Sequence, residues 1–404
     1  MSAVALVGLL ALLASALTGC GDARADVADP GVVGAAPAPV LVPSASSGAS
    51  GVGVASPLTV TSVGGTLSTV AATGPGNRPL GGQFNADHTR WTSAPLDFDS
   101  AYTVTAEGRG VDGRPATPLA STFRTVAPRR TLSVESVRPA NGQVVGVAMP
   151  VSVYFTRAVP DRAAVERTLR VQAGTPTTGS FHWVSDSQVN WRPEQFWAPH
   201  TTVTVQAALH GVDLGRGTFG GADFASGFST GVARSAVGDA AKHTFTLFED
   251  GTPVRTFPAS FGRAQYPTQY GMHVAFEKHL SKRMRSDSWG GPKEGEPGFY
   301  DEVLPLAVRI SGNGEFVHVN TATTRQQGRS NVSHGCVNLS AANGRFFYDW
   351  VQIGDPVNIV NSGRPLTPAD GDISDWLLPF DQYRAGSSLL TGVTDSAPGP
   401  HVAE

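Results

Sequence analysis

Charge is scarce in this sequence. Only 16% of its 404 residues are Asp, Glu, Lys or Arg, against about 25% in an average soluble domain. Its 30 basic and 33 acidic residues leave a net charge of −3. That balance gives no reason to expect a nucleic-acid partner, whose footprint is a basic face. Cysteine is scarcer still. Cys20 and Cys336 are the only two, too few for a disulfide framework or a four-cysteine zinc site, so each needs its own explanation. What is abundant is glycine and proline, with 47 and 29 residues. That excludes a long helical bundle or coiled coil, which is rich in Ala, Glu, Lys and Leu, and fits short strands joined by many turns. The hydrophobic share of 40% is enough to bury a real core. At roughly 150 residues per domain the length allows two or three domains.

Residues 2–19 are mostly apolar and uncharged. Such a stretch is a signal-peptide core rather than a membrane span, which predicts a signal peptide over 1–19. It ends at Leu17-Thr18-Gly19-Cys20, which resembles a bacterial lipobox. The resemblance implies cleavage before Cys20, lipidation of Cys20, and a membrane-anchored protein of the cell envelope on the outer face of the cytoplasmic membrane. One departure is that no Lys or Arg precedes the apolar core. An ordinary signal peptide with a chance cysteine is the alternative, and it too exports the protein. Residues 20–55 are rich in Ala, Gly, Pro, Val and Ser and have no aromatics, the composition of a lipid-anchored flexible tether.

Two similar segments follow. Arg90-Trp91, Tyr102-Thr103-Val104-Thr105 and Thr122-Phe123-Arg124-Thr125 recur as Asn190-Trp191, Thr202-Val203-Thr204-Val205 and Gly227-Phe228-Ser229-Thr230. A period of roughly 100 residues is one sandwich domain, and alternating Thr/Val strands between turn residues predict two immunoglobulin-like β-sandwiches at 56–128 and 129–232. Trp91, Trp191 and Trp197 are expected core anchors. A third unit is expected over 240–363. It opens with the hairpin His243–Phe248, Glu249-Asp250-Gly251, Val254–Phe257. Strands are expected at Val303–Ile310, Glu315–Val319 and Pro356–Val360. One clear helix is expected at about 340–352, capped by Ser340, with Phe346, Phe347, Trp350 and Val351 at helical spacing. Trp376, Phe380 and Tyr383 make 364–390 a segment expected to pack back onto the third unit, and 391–404 reads as a disordered tail. The fold class is mainly β.

The chemistry gathers at Ser333-His334-Gly335-Cys336-Val337-Asn338. A lone thiol in the body of an exported protein is unusual. A nucleophilic cysteine needs a base or a positive environment, because the thiol is mostly protonated at pH 7. His334 lies two residues before Cys336. His318 lies on a strand upstream, and a strand, a loop and a second strand can bring it beside the thiol. Gly335 lets backbone approach a substrate, and the amides of Gly335 and Cys336 are candidate oxyanion donors. The helix after Ser340 is expected to bring its positive end near the nucleophile. A zinc site made of His318, His334 and Cys336 lacks a fourth ligand.

His318, fourteen intervening residues, then Ser333-His334-Gly335-Cys336-Val337-Asn338 resembles the motif of the L,D-transpeptidases of the YkuD type, and the layout of sandwiches, catalytic unit and aromatic tail resembles the mycobacterial-type members with two immunoglobulin-like domains. The resemblance implies that Cys336 is the acylated nucleophile and His318 its base. It implies that His334 and Gly335 shape the oxyanion pocket, that Asn338 positions substrate or loop, and that Ser333 opens the motif. It also implies a lid over 279–300, with the Tyr300 hydroxyl facing the acyl site and Met284 and Trp289 as lid contacts. Relatives carry Ser or Gly after the base where this chain has Val319, whose carbonyl is still expected to orient His318. Lys278, Lys282, Arg283 and Arg285 could meet the carboxylates of a wall peptide. The implied reaction is acyl transfer from a peptidoglycan tetrapeptide stem with loss of D-Ala and formation of 3→3 cross-links. Carbapenem β-lactams are the implied inhibitors, and no cofactor or metal is implied. L,D-carboxypeptidase activity and a non-catalytic peptidoglycan-binding lipoprotein are the alternatives. A papain-like endopeptidase would place its cysteine before its histidine, and the only histidine after Cys336 is His401.

Overall fold

The computed structural model describes residues 38–370, 374–389 and 393–395. The signal peptide and Cys20 lie outside the described residues. The first sandwich packs a four-stranded sheet containing Thr59–Val63 and Arg90–Ser93 against a three-stranded sheet of Gly65–Thr73, Ala101–Gly110 and Leu119–Arg124. Alternation along Ala101–Gly110 turns Tyr102, Val104 and Ala106 inward, as a period of two requires. Trp91 is in the same core. The expected tether is corrected here. Val40–Pro43 pairs antiparallel with Thr59–Val63, and Leu41, Ala45 and Val54 belong to the core. A four-residue Val-Leu-Val-Pro strand buries one leucine, a signal that the surrounding Gly/Ala/Ser composition hides.

The second sandwich has its own core, in which Trp191 and Trp197 stack with ring centroids 5.1 Å apart. The repeat read from sequence holds strand by strand: Arg90–Ser93 matches Gln188–Pro193, and Leu119–Arg124 matches Phe224–Thr230. A short helix, Arg162–Thr168, is added, with the Asp161 carboxylate accepting from the Ala164 amide at 2.9 Å.

The third unit has a six-stranded sheet and a four-stranded sheet. It begins earlier than expected. Arg234–Asp239 runs parallel to Pro356–Val360 inside the six-stranded sheet, so residue 240 is not its boundary. The expected hairpin pairs Thr244–Glu249 with Thr252–Pro258. The four-stranded sheet, in order Glu277–Arg285, Asp301–Arg309, Phe316–Val319 and Val337–Leu339, carries the motif. The helix Ala341–Trp350 is capped by Ser340 and buries Phe347 edge-on against Phe245.

The aromatic tail is a second correction. Up to Asp370 it lies on the catalytic unit, where the Leu366 amide donates to Tyr270 and the Asn313 amide to Asp370. From Asp375 onward its aromatics pack on the second sandwich, while Leu377 still lies against Gly271 of the catalytic unit. Trp376 Nε1 donates to the Ala148 carbonyl at 2.7 Å, Asp375 accepts from Asn190 Nδ2 at 3.1 Å, and the Arg192 guanidinium lies over the rings of Trp376, Phe380 and Tyr383. A buried guanidinium is tolerated when aromatic faces and carbonyls surround it, so Arg192 draws the aromatics to the sandwich. Val393–Asp395 pairs with Thr177–Gly179, so these three residues of the expected disordered tail form a strand.

Candidate active site

His318 and Cys336 come together through a parallel strand pair. Phe316–Val319 lies beside Val337–Leu339 with His318 opposite Asn338. Opposite residues share a face, and so does the residue two before, which is Cys336. Neighbouring strands are about 4.8 Å apart and rise about 3.3 Å per residue, so the imidazole and the thiol are side-chain neighbours. Both line one cavity of about 230 Å³, with Met284, Tyr300, Ser333, His334 and Asn338.

The motif is held in place by an adjoining loop. The Ser333 amide donates to the Phe261 carbonyl at 3.1 Å, the Arg263 amide to the Ser333 carbonyl at 3.0 Å, and Thr268 Oγ1 to the Gly335 carbonyl at 2.7 Å. Ser333 Oγ donates to the Cys336 carbonyl at 2.6 Å and accepts from the Gly335 amide at 3.1 Å, closing the turn. Gly335 has φ +129°, a conformation that other residues rarely adopt. Its amide donates to Ser333 Oγ, which corrects the expectation that it is a free oxyanion donor. The helix end is also displaced. The strand Val337–Leu339 separates Cys336 from the helix start at Ala341, a span of about 10 Å. The helix field fades within its first turn.

His318 is fully enclosed. Its Nδ1 lies 3.0 Å from the Val319 carbonyl, the contact expected of that carbonyl despite the missing hydroxyl. Nδ1 must carry the proton to donate there, which leaves Nε2 as an acceptor. Burial pushes the imidazole down to about 4 and the Cys336 thiol up to about 12, the latter only partly offset by the Phe316 amide. At neutral pH the resting pair is thus a thiol and a neutral imidazole. The Val319 side chain packs under the following helix, where a Cβ at Gly344 would collide with Val319 Cγ2. Asn338 is buried, and its Nδ2 donates to Thr323 Oγ1 at 3.2 Å, tying the loop after the base to the cysteine strand.

The other flank of Cys336 is aromatic. His334 stacks at an angle on Tyr300, 4.9 Å away, and on Tyr266, 5.2 Å away, and its Nε2 accepts from Arg263. Burial and then the Arg263 charge lower its basicity. Trp289 Nε1 donates to Tyr300 Oη at 2.8 Å, while burial raises that phenol to about 12. The expected lid over 279–300 is in fact the end of a hairpin, in which Glu277–Arg285 pairs with Asp301–Arg309 and Ser286–Trp289 forms a 3-10 turn at the tip. Met284 is buried in a small cluster against which Tyr300 and Cys336 pack.

The basic cluster is largely spent within the fold. Arg283 and Arg285 pair with Asp301 and Asp287, and Lys278 donates to the Val351 carbonyl at 2.8 Å over the Tyr348 ring. Of the four, Lys282 makes no such pair among the described residues, and it lines a separate cavity with Arg283, Arg285 and Arg309. Sequence reasoning missed Arg263, Tyr266 and Glu315. The first two lie in a loop without periodicity, and their role exists only once that loop folds across the motif. Glu315 is buried beside Gly335, accepts from the Gln269 amide at 2.7 Å, and is pushed up to about 8 by burial.

Comparison with known proteins agrees with this architecture. Residues 49–213 match the bacterial Ig domain family and residues 233–359 match the YkuD L,D-transpeptidase catalytic domain. The chain is 35% identical over 351 residues to L,D-transpeptidase 2 of Mycobacterium tuberculosis, covering 87% of this chain and 85% of that one. It is 35% identical to L,D-transpeptidase 5 of the same species, covering 87% of this chain and 78% of that one. Among solved structures, that of the L,D-transpeptidase LdtMt1 in complex with imipenem superposes with a TM-score of 0.50 at 41% identity, covering 56% of this chain and 99% of that one. With relatives matched over most of both chains, and with its own cysteine cleft inside the matched catalytic region, this chain is an enzyme of the L,D-transpeptidase family.

Proposed function

We propose that this transpeptidase forms 3→3 cross-links in peptidoglycan, anchored by Cys20 on the outer face of the cytoplasmic membrane. The observation that carries the catalytic reading is His318, whose Nδ1 is committed to the Val319 carbonyl, leaving Nε2 as the proton acceptor in the cavity it shares with Cys336. The thiol is neutral at rest, so its proton passes to His318 Nε2 as sulfur attacks the carbonyl of the L-centre residue of a tetrapeptide stem. The tetrahedral oxyanion collapses, the bond to D-Ala breaks, and the imidazolium returns its proton to the leaving amine. A thioester on Cys336 remains. The amine of a neighbouring stem attacks it, gives up a proton through His318, and restores the thiol as the new amide forms. Water in place of the amine gives carboxypeptidase turnover. By the same chemistry a carbapenem is expected to acylate Cys336, in keeping with the imipenem complex of the 41% identical relative.

The test is the intact mass of the protein from residue 38 onward and its Cys336→Ala variant after incubation with a disaccharide-tetrapeptide. An adduct and a cross-linked dimer product in the wild type alone support the reading. Loss of D-Ala without dimer moves it to a carboxypeptidase. Neither adduct nor product overturns it. Imipenem in place of the stem is expected to add its mass to the wild type and leave Cys336→Ala unmodified.

A further inference from the structure

The approach to the Cys336–His318 cavity carries a charge that the mechanism above does not use. Among the described residues lining that cavity, Glu302 is the only Asp, Glu, Lys or Arg. It lies opposite Met284 in the antiparallel hairpin, so the two side chains share a face. Met284 is buried against the cluster at Cys336, while Glu302 is exposed at the rim. The other acids on the two strands and at the 3-10 turn are paired: Asp301 with Arg283 and Arg285, Asp287 with Arg285, and Glu277 with Arg309 and His279, while Glu294 and Glu296 lie in the connection and do not line the cavity. Glu302 makes no ion pair and no side-chain hydrogen bond among the described residues. A carboxylate at the mouth of a small cleft adds a negative potential on its own side, opposite the Arg263 guanidinium held by His334 on the other flank.

The route of the acceptor follows from the base. An amine that attacks the thioester must lose a proton to His318 in the transition state, so it must lie within hydrogen-bond reach of that imidazole. His318 lines the 230 Å³ cavity and is absent from the smaller cavity of about 110 Å³ on the other flank of Cys336. An acceptor seated within reach of His318 therefore occupies the cavity that Glu302 also lines.

We propose that Glu302 is a specificity-determining residue of the acceptor step, favouring cationic amines whose neighbouring carboxylate is absent or masked as an amide over amines that carry a free carboxylate beside the nitrogen. This rests on the transpeptidase reading above. An ammonium is drawn to the rim, loses one proton to solvent, and as the neutral amine attacks the thioester it passes a second to His318. An amino acid brings a carboxylate that Glu302 repels. The same repulsion speeds departure of the D-Ala released in the first step and disfavours its return.

The experiment uses the described domains with a disaccharide-tetrapeptide as donor and two small acceptors, D-methionine and D-methionine amide, competing at equal concentration. The readout is the ratio of the two exchange products, with the acyl-enzyme followed by intact mass in the same samples. Wild type is expected to favour the amide. Glu302→Gln is expected to lower that ratio by about fivefold, the scale of an exposed charge pair, and Glu302→Lys to lower it further. Raising the salt should compress the wild-type preference and leave the Glu302→Gln ratio in place. An equal ratio in all three proteins overturns the proposal, and so does an acyl-enzyme that forms normally yet transfers to neither acceptor. Failure of the wild type to form any acyl-enzyme counts against the transpeptidase reading instead, so the two failures are told apart.

Discussion

The two flanks of Cys336 each present a histidine, and they are built in opposite ways. On one flank His318 is buried on a strand with Nδ1 against the Val319 carbonyl, so the free nitrogen is Nε2. On the other flank His334 is half-buried in a turn, wedged between Tyr266 and Tyr300, and its Nε2 is occupied by Arg263. Both rings are held neutral with the proton on Nδ1, but His318 leaves its bare Nε2 free while that of His334 is already taken by Arg263. Nearness to the thiol does not make a base, since His334 is only two residues from Cys336. What makes one is a free acceptor nitrogen, and that is decided by which nitrogen a second group has already taken.

The sharpest way to break this comparison is to remove each ring in turn. His318→Gln is expected to slow acylation of Cys336 by about 10²- to 10⁴-fold, the range of a lost general base. His334→Gln is expected to cost about tenfold or less, because it removes packing and an Arg263 partner rather than the proton acceptor. Equal losses, measured as rates of adduct formation, would erase the distinction. A second test asks whether the resting pair is neutral. With the thiol pushed up to about 12 and the His318 imidazole down to about 4, alkylation by iodoacetamide should rise about tenfold per pH unit from pH 6 to 10, because only thiolate reacts. Acylation by the stem peptide, assisted by neutral His318, should be nearly flat over the same range and fall only as the pH approaches 4. An alkylation plateau between pH 5 and 8 would reveal a preformed ion pair instead.

This asymmetry was half legible in the sequence. The upstream base, the thiol and the glycine with positive φ are fixed by short-range spacing, and the alternating strands that carry them announce themselves. The Val319 contact was legible too, because a carbonyl is present whatever the side chain. The Arg263 and Tyr266 flank was not, since it depends on a loop seventy residues away crossing the motif, and nothing in that loop's composition names its destination. The same limit misplaced the aromatic tail. Trp376, Phe380 and Tyr383 signal packing, but their target is set by Arg192 on the second sandwich, which no local pattern reveals. The strand Val40–Pro43 escaped for a different reason: four residues bury too little to stand out from a low-complexity context.

Tyr300→Phe probes the aromatic flank more gently. The phenol accepts from Trp289 Nε1, and its loss leaves that donor without its partner. The expected cost is about 1 kcal/mol in stability, the usual net worth of one hydrogen bond. Acylation should slow by a few-fold as the hairpin tip loosens. Tryptophan fluorescence during thermal unfolding and adduct kinetics check the two parts. A loss as large as that of His318→Gln would mean that the hydroxyl takes part in chemistry.

The smallest expected effect is the most specific. Burial and then the Arg263 guanidinium hold His334 below the ordinary histidine range. Arg263→Gln keeps a donor for Nε2 but removes the charge, so the His334 midpoint, followed by NMR, should move upward toward that of an exposed histidine. The consequence for stability follows from counting protons. A histidine with a depressed native midpoint binds fewer protons folded than unfolded, so it favours the unfolded state as pH falls from about 6.5 toward that midpoint. Arg263→Gln narrows this window, so its stability should decline less steeply than the wild type's between pH 6.5 and 5. His318, whose environment the substitution leaves untouched, should keep its own midpoint near 4. A variant in which both histidines shift together would show that the flanks are one coupled network rather than two independent devices around a single thiol.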